Sequence, residues 1–308
     1  MAERWAAKAM NRFLAKLKHP GKYPLIVAHR GDSFFAPENT LEAARRARGA
    51  ADAWELDVQL SRDGVPIVLH DDSLARTTDI RERFRDDPRG EDQFLVSDFD
   101  AGEIGMLDAG SWFVSDTIRA RSARAFGTID RIDAASRSLF ESGEVRIPLL
   151  VDALRLTAKL DWLVNVAVLN AIAETETADR VLVSSFDHRI VAALVRAKPD
   201  PGLAFGLLAD SPLWELPRYA SELVGASTVH LSAESLGAGS VEHRRRRDQS
   251  ALASREVESL NAGGVPVLVY TVNEHGPSSL ASRLAGIGVA GLFTDDPCGM
   301  RRSFEALT

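Results

Sequence analysis

The sequence contains one cysteine, Cys298, in 308 residues. A single thiol excludes an internal disulfide framework and any metal site built from paired cysteines. Long apolar stretches are also missing, since none approaches the roughly 18 residues that a membrane-spanning helix needs. The net charge of -7 argues against nucleic acid as a main partner, because a phosphate backbone attracts basic surfaces. These absences favour a globular protein of a reducing compartment, and we predict a cytoplasmic location.

The first 19 residues have the pattern of a basic amphipathic helix and not that of a secretory signal, because charges interrupt any apolar core. Trp5, Phe13 and Leu17 fall on one stripe, and lysines and arginines lie beside it. One interpretation is a helix packed across the bottom of the fold. The other is peripheral contact with an anionic membrane surface, at the inner face of the membrane. We assign residues 1–22 to this N-terminal helix.

From Tyr23 onward, short apolar runs alternate with helical patterns. The strands are expected at 25–29, 53–58, 162–168, 181–185, 203–207, 228–231, 266–271 and 289–294. The helices are expected at 40–48, 149–160, 188–197, 214–224, 250–262, 277–286 and 297–306. Such alternation predicts an α/β fold with a parallel sheet, and eight strands favour a (β/α)8 TIM barrel over residues 23–308. An open doubly wound sheet is the competing fold, but no glycine-rich dinucleotide fingerprint follows the first strand.

Chemically capable side chains lie at the downstream ends of several apolar runs. His29 ends the first run, Glu55 and Asp57 lie in the second, and His70 and Asp71 end a further one. In a parallel α/β barrel, active sites are built at the downstream ends of the strands. Two imidazoles beside a pair of carboxylates can carry out metal-assisted acid/base chemistry.

A short turn at Asp63-Gly64 is expected to return residues 65–70 along 55–60 as an antiparallel hairpin, because a parallel crossover needs a dozen or more residues. Counting outward from the turn places His70 opposite Asp57. The polar stretch 72–148 that follows is interpreted as a loop-rich insertion on the active-site face. Its apolar content is expected to be too patchy for a core of its own.

An ordered set of motifs between residues 23 and 300 resembles the glycerophosphodiester phosphodiesterase family, within the phosphatidylinositol-phospholipase-C-like superfamily. The motifs are His29-Arg30-Gly31, Ala36-Pro37-Glu38-Asn39-Thr40, Glu55-Leu56-Asp57-Val58, Asp63-Gly64, the run from His70 to Thr78, the run from Leu107 to Phe113, Ile147-Pro148-Leu149, Val183-Ser184-Ser185-Phe186-Asp187, Tyr270-Thr271-Val272-Asn273 and Thr294-Asp295-Asp296-Pro297. Any one of these would be weak evidence, whereas the ordered set is specific. The resemblance implies a distorted barrel, one divalent cation (Mg²⁺, Ca²⁺ or Mn²⁺), and hydrolysis of glycerophosphodiesters to sn-glycerol 3-phosphate and an alcohol.

The resemblance also implies a role for each matching position. His29 and His70 match the acid/base pair, and Glu55 and Asp57 match two metal ligands. Arg30 matches an arginine that contacts the phosphate, and its planar fork of donors suits a phosphodiester. Three further residues are expected to support this set: Glu38, Asn39 and Asp71. The sequence leaves open which histidine gives the proton and which takes it. It also leaves open whether the nucleophile is water or the 2-hydroxyl of the substrate's glycerol.

One segment departs from the family pattern. Where the family carries Asn-x-Glu-x-Lys, this chain has Ala167 in place of the metal-binding glutamate and Leu169 in place of the phosphate-contacting lysine. Fewer carboxylates weaken a hard-cation site, and loss of the lysine removes a positive charge from the phosphate pocket. Only about a dozen residues separate this strand from the next one, which begins at Val181. This is near the minimum for a parallel crossover, so the helix expected between the two strands is interpreted as largely deleted.

Three functions follow from these residues. The leading one is a metal-dependent hydrolase of glycerophosphodiesters in lipid metabolism, weakened by Ala167 and Leu169. The second is a non-catalytic relative that binds phosphodiesters or lipid headgroups through Arg30 and the basic run Arg244–Arg247. The third is a phospholipase D-like phosphodiesterase acting on intact lipids. The sequence does not predict an oligomeric state.

Overall fold

The computed structural model describes residues 11–91, 93–115, 131–166, 177–197, 200, 202–211, 213–236, 247–274, 276–277 and 279–307. Its strands, in chain order, are β1 (Leu25–Ala28), β2 (Ala53–Leu56), β3 (Val58–Leu60), β4 (Pro66–Val68), β5 (Val164–Val166), β6 (Val181–Ser185), β7 (Ala204–Ala209), β8 (Thr228–Ser232), β9 (Val267–Tyr270) and β10 (Gly291–Thr294). All except β3 and β4 form a closed parallel barrel in the spatial order β1-β10-β9-β8-β7-β6-β5-β2. Each predicted barrel strand is present with small shifts at its ends, and the TIM-barrel prediction is confirmed.

In the described residues, helices lie between most of the barrel strands and along parts of the segment between β4 and β5. They are α1 (Arg12–Lys18), α2 (Leu41–Ala47), α3 (Ile80–Arg83), α4 (Ala101–Ile104), α5 (Ser111–Val114), α6 (Ala134–Glu141), α7 (Leu150–Lys159), α8 (His188–Ala197), α9 (Leu216–Arg218), α10 (Arg247–Ala262), α11 (Leu280–Gly286) and α12 (Pro297–Glu305). Short 3₁₀ turns occupy Pro88–Gly90, Val96–Asp98 and Ala178–Arg180, and a π-helix spans Tyr219–Val224. Within the described ranges, no helix is both long enough and apolar enough to cross a membrane.

The hairpin of β3 and β4 is present, but its register differs by one residue from the prediction. Val58 pairs with Val68, and the Leu69 amide donates to the Asp57 carbonyl at 3.1 Å. Asp57 therefore lies opposite Leu69, and the predicted pairing of Asp57 with His70 was wrong.

The loop of the hairpin explains the shift. The Ser61 amide donates to the Val65 carbonyl at 3.1 Å, so these two residues close a loop of three residues. The predicted register assumes a two-residue turn instead. Gly64 occupies the last loop position with φ +76°. Glycine adopts this left-handed conformation without steric cost, and three-residue hairpin loops require such a residue.

Side chains of the barrel strands alternate between the interior and the surrounding helices. On β1, Leu25 and Val27 belong to the interior cluster, whereas Ile26 belongs to the cluster between strands and helices. Helix α1 closes the base of the barrel, because Phe13 and Leu17 are buried in that same interior cluster. The apolar stripe predicted for the N-terminal helix is thus covered by protein at these two positions.

Asn11 anchors the start of α1 to the base of the barrel. Its side-chain Nδ2 lies within hydrogen-bond distance of three carbonyl oxygens, those of Ala178 at 3.1 Å, Val181 at 2.9 Å and Gly202 at 2.8 Å. The interpretation of a helix packed under the barrel therefore describes residues 11–18. Residues 1–10 of the predicted helix lie outside the described residues, and membrane contact through residues 1–19 stays a prediction.

Replacement of Phe13 by alanine is expected to lower the free energy of unfolding by about 3–5 kcal/mol, because the ring is fully buried and its removal leaves a cavity. Lys16→Ala on the exposed side of α1 is the matched control, with an expected change under about 0.5 kcal/mol. Urea unfolding followed by circular dichroism measures both. A wild-type midpoint for Phe13→Ala would show that α1 is not part of the cooperative fold.

The segment 72–148 buries an apolar cluster together with the hairpin. Its members are Ile67, Leu69, Leu74, Ala75, Ile80, Phe94, Val96, Phe99, Ile104, Leu107, Ala109 and Ile147. The turns of the segment bring dispersed apolar residues together, and the hairpin supplies Ile67 and Leu69 to the same cluster. The expectation that the segment has no core of its own stays a prediction, because this cluster is shared with the hairpin. The division into an N-terminal helix (1–22) and a barrel domain (23–308) with this insertion stays a prediction.

Candidate active site

A cavity of about 380 Å³ opens at the C-terminal ends of the barrel strands. Interior positions recur at every second residue of a strand, which brings His29, Glu55 and Asp57 to this end of the interior. These three side chains line the cavity together with Arg30 and His70. The described residues that complete the lining are Leu56, Asn165, Ser184, Ser185, Phe186, Leu208, Tyr270, Thr271 and Phe293. The structure thus brings together the five residues for which the sequence predicted catalysis, phosphate contact or metal binding.

The backbone turns sharply where β1 ends. Arg30 and Gly31 have φ of +56° and +87°, and the Arg30 amide donates to Glu55 Oε2 at 3.1 Å. A Cβ at Gly31 would lie 2.6 Å from Ala43, so only glycine fits there. Non-glycine residues with positive φ are uncommon and concentrate at functional sites. The turn points the Arg30 amide at one of the candidate metal-binding carboxylates.

The imidazole of His29 is held by a carboxylate from near the end of the chain. Its Nδ1 lies 2.7 Å from Asp295 Oδ1, and Asp295 accepts from Asn273 Nδ2 at 2.6 Å and from Ser33 Oγ at 3.1 Å. Burial acts to lower the pKa of His29, but the hydrogen bond and the charge of Asp295 outweigh it, and the pKa is raised. With Nδ1 engaged, Nε2 is the ring nitrogen available to a substrate.

His70 has the same kind of partner, supplied by its neighbour in sequence. Its Nδ1 lies 2.6 Å from Asp71 Oδ1, and its carbonyl accepts from Gln59 Nε2 at 3.0 Å. Burial acts to raise the pKa of Asp71, but hydrogen bonds from Arg76 and His70 prevail and bring that pKa to about 2. Asp71 is therefore a carboxylate at neutral pH and orients the His70 ring.

The guanidinium of Arg30 lies between two carboxylates. Its Nη1 donates to Glu38 Oε1 at 2.9 Å, and its Nε lies 3.1 Å from Asp57 Oδ2 as an ion pair without hydrogen-bond alignment. Glu38 also accepts from Arg76 at 2.7 and 2.9 Å. Burial acts to raise the pKa of Glu38, but the two arginines overcome it and the pKa is lowered. Glu38 therefore stays charged and fixes the direction of Arg30.

Glu55 and Asp57 form a pair of acids at the cavity wall. Burial first, and then the charge of Asp57, raise the pKa of Glu55 to about 7. Asn39 fixes Asp57 through two hydrogen bonds, from Nδ2 to Asp57 Oδ2 at 2.9 Å and from the Asp57 amide to Oδ1 at 3.2 Å. A buried carboxylate beside a second one is unfavourable as an anion. The pair would therefore gain from an added positive charge.

Asn165 brings a further oxygen to the same wall. It is the register partner of Glu55 on the adjacent strand, and its Nδ2 donates to Ser184 Oγ at 3.0 Å. Its Oδ1 is buried and has no hydrogen-bond partner among the described residues, which is costly for a buried acceptor. In the described ranges, no three His, Cys, Asp or Glu side chains are grouped to hold a metal. The oxygens of Glu55, Asp57 and Asn165 nevertheless fit a hard divalent cation, which prefers oxygen ligands.

Part of the cavity lining is apolar. Phe186 and Tyr270 pack edge to face with ring centroids 6.0 Å apart, and Leu208 lines the same cavity. Phe186 is 58% exposed, so this aromatic pair extends from the cavity toward solvent. Its surface suits the carbon skeleton of a ligand whose charged part faces the histidines and Arg30.

Four side chains that organise this site have no role predicted from the sequence. Asp295 and Asn273 lie in motifs that carry the family resemblance, and Arg76 lies in the motif that begins at His70. Their place in those motifs was the available signal, whereas Ser33 had none. Asp295 orients the imidazole of His29, and Ser33 and Asn273 donate hydrogen bonds to Asp295. Arg76 donates to Asp71.

Three expectations fall wholly or partly outside the described residues. Ala167 and Leu169 belong to residues 167–176, which also include the expected helix deletion. Positions 244–246 of the basic run are likewise not described. The effects of these segments on the site stay predictions.

The fold and the cavity define a TIM-barrel protein whose candidate active site, with two histidines and two carboxylates, lies at the C-terminal ends of the strands. A model of the Glycerophosphoryl diester phosphodiesterase family matches residues 29–298. The chain belongs to this family, and the family resemblance drawn from the motifs is confirmed.

Individual relatives agree with this assignment. A glycerophosphodiester phosphodiesterase of Caldanaerobacter subterraneus is 31% identical over 288 residues, which cover 89% of this chain and 94% of the relative. A solved phosphodiesterase of Oleispira antarctica, in complex with the product sn-glycerol-3-phosphate, has a TM-score of 0.64 at 24% identity and covers 92% of this chain and 97% of its own. A glycerophosphodiester phosphodiesterase of Agrobacterium tumefaciens has a TM-score of 0.60 at 23% identity, with 91% and 99% covered. The two structures show that the barrel fold is shared.

Proposed function

We propose that this chain hydrolyses glycerophosphodiesters to sn-glycerol 3-phosphate and an alcohol, with the help of one divalent cation. The observation that carries the proposal is the pair of histidines, each oriented through Nδ1 by a carboxylate, that line one cavity with Arg30. Such a pair can take a proton from a nucleophile and give one to a leaving group. The sn-glycerol-3-phosphate in the Oleispira relative supports this substrate class.

In this proposal the residues divide the work between binding and proton transfer. Arg30 binds a non-bridging oxygen of the phosphodiester, for which a planar guanidinium is well suited. One histidine takes a proton from the nucleophile, either water or the glycerol 2-hydroxyl, through Nε2, and the other gives its proton to the departing alcohol oxygen. If the 2-hydroxyl attacks, water then opens the cyclic phosphodiester to sn-glycerol 3-phosphate while the two histidines exchange roles. Asp295 and Asp71 hold the two rings so that Nε2, and not Nδ1, faces the reacting atoms.

The acids of the cavity wall are proposed to hold the cation. Glu55 and Asp57 supply carboxylate oxygens, and Asn165 Oδ1 supplies a neutral oxygen on the neighbouring strand. When bound, Mg²⁺, Ca²⁺ or Mn²⁺ would neutralise charge on the phosphate and orient the ester. The positive charge of the cation would also compensate the negative charge of Glu55 and Asp57 and so stabilise Glu55 as an anion.

A second candidate function is binding of phosphodiesters without turnover. It is favoured by Ala167 and Leu169, which replace one metal-binding and one phosphate-binding residue of the family pattern. Arg30 and the histidine pair would still recognise a phosphodiester in such a protein. Metal affinity and turnover therefore separate the two candidates.

The test is release of glycerol 3-phosphate from a panel of glycerophosphodiesters, measured with Mg²⁺, Ca²⁺, Mn²⁺ or a chelator. Metal-dependent release from a soluble diester supports the proposal. Release of the headgroup alcohol from an intact lipid in vesicles, with no cleavage of any soluble diester, would favour the phospholipase D-like alternative. Binding of glycerol 3-phosphate in a calorimeter without any turnover would favour the binding protein and overturn the enzymatic proposal.

A further inference from the structure

Arg76 lies between two carboxylates of the site and donates to both. Toward Asp71, its Nε donates to Oδ2 at 2.5 Å and its Nη2 to Oδ1 at 3.0 Å. Toward Glu38, its Nη1 donates to Oε2 at 2.9 Å and its Nη2 to Oε1 at 2.7 Å. One guanidinium thus makes two bidentate contacts along two of its edges, and its pKa is raised, because these bonds outweigh its burial.

Each of the two carboxylates passes the constraint on to a residue of the cavity. Asp71 Oδ1, which Arg76 contacts, also lies 2.6 Å from His70 Nδ1. Glu38 Oε1, which Arg76 contacts, also accepts from Arg30 Nη1 at 2.9 Å. The same oxygen serves both neighbours in each case, so a shift of Arg76 would move His70 and Arg30 together.

We propose that Arg76 is a positioning residue that sets His70 and Arg30 in register with each other. The expected effect of Arg76 on turnover depends on the proposed function, whereas its effect on the position of the two side chains does not. Arg76 is absent from the cavity lining that the described residues form, so it acts through Asp71 and Glu38 and not on the substrate. It joins the loop after β1, which carries Glu38, to the end of the hairpin, which carries Asp71.

The proposal has a geometric and an electrostatic part. The geometric part needs the guanidinium fork, because an ammonium cannot make two bidentate contacts at fixed angles. The electrostatic part needs only the charge, because without it Asp71 and Glu38 would add uncompensated negative charge near an anionic substrate. Lysine at this position separates the two parts, since it keeps the charge and loses the fork.

Arg89 offers a matched control in the same segment. It also bridges two carboxylates, since its Nη2 donates to Asp87 at 2.7 Å and to Glu103 at 3.0 Å. Its side chain is 23% exposed, against 25% for Arg76. Unlike Asp71 and Glu38, neither Asp87 nor Glu103 makes a described hydrogen bond to a residue that lines the cavity. Arg89→Ala therefore removes a similar ion-pair bridge without touching His70 or Arg30.

Kinetics of the two arginine sites give the first test. We expect Arg76→Ala to lower kcat/KM about 100-fold, the cost of misplaced catalytic groups, through both a lower kcat and a higher KM. Arg76→Lys is expected to lower kcat with a KM near wild type, and added guanidinium ions should restore part of the activity of Arg76→Ala. Arg89→Ala is expected to leave both constants unchanged. Equal losses for Arg76→Ala and Arg89→Ala would overturn the proposal.

Nitrogen NMR of the His70 ring gives a test that needs no turnover. In alkaline buffer, the wild type and Arg89→Ala should show one set of His70 signals, with the proton on Nδ1. In Arg76→Ala, the His70 signals should move toward those of Asp71→Ala. The double variant Asp71→Ala with Arg76→Ala should show the same signals as Asp71→Ala alone. Unchanged His70 signals in Arg76→Ala would overturn the positioning role, even if the wild type hydrolyses none of the diesters. An inactive wild type with the expected shifts would instead overturn only the proposed function.

Discussion

Alanine at His29 or at His70 is expected to lower kcat for a glycerophosphodiester by about 10²–10⁴-fold, the usual contribution of a positioned acid or base. The structure places both rings at one cavity and anchors each at Nδ1, so each variant removes one proton-transfer group. Release of glycerol 3-phosphate under saturating substrate measures the loss. The double variant is expected to have a kcat only a little below that of the less active single variant, because the effects of groups that act in one transition state are not additive.

Two controls separate chemistry from folding and binding. His19→Ala changes an exposed histidine at the end of α1, beneath the barrel, and should retain wild-type kcat. Binding of glycerol 3-phosphate to His29→Ala and His70→Ala, measured by calorimetry, should persist, because Arg30 remains. Full turnover in either histidine variant would remove that histidine from the acid/base pair.

The barrel was predictable because its determinants are local. Apolar runs such as 25–28 and 181–185, each followed by a helical pattern, specify strands and helices without knowledge of distant contacts. The hairpin register was not predictable in the same way. It depends on whether Gly64 ends a two-residue or a three-residue loop, and both loops accept the same Asp-Gly sequence.

The site was predictable where a motif placed its residues and not where distant pairing did. His29 and Glu55 end or lie in apolar strands, so their position at the barrel mouth follows from the fold. The partner of His29 is Asp295, 266 residues away, and no local pattern connects the two. Arg76 is similar, because a residue between turns gives no sign that it bridges two carboxylates until both loops are in place.

The apolar cluster that residues 72–148 share with the hairpin shows a further limit of sequence patterns. Periodicity detects apolar residues on one face of a regular element, but α3, α4 and α5 are single turns joined by irregular backbone. Phe94 and Phe99 lie 6.3 Å apart between ring centroids, in a stretch without any strand or long helix. Their contact arises from the path of the loops, and such a core has no period to detect.

Loss of Glu55 or Asp57 is expected to abolish metal-dependent turnover. A unit charge about 4 Å from another is worth about 4 kcal/mol near a protein surface, so Glu55→Gln should weaken Mg²⁺ or Ca²⁺ binding by on the order of 10²–10³-fold. Titration calorimetry with each cation measures affinity independently of activity. Wild-type affinity in both Glu55→Gln and Asp57→Asn would place the cation elsewhere.

Asn165 on β5 is our candidate for the oxygen that replaces the glutamate missing at position 167. If Asn165 Oδ1 supplies the third oxygen, Asn165→Ala should weaken cation binding, and Asn165→Asp should strengthen it by adding charge. The variant Ala167→Glu with Leu169→Lys restores the family pattern, and it should also bind the cation more tightly and lower KM, because the lysine adds a phosphate contact. If this double change alone creates turnover, the natural chain is the binding protein. If the natural chain already turns over and Asn165→Ala removes that activity together with the metal, a neutral amide oxygen has taken over the task of the missing carboxylate.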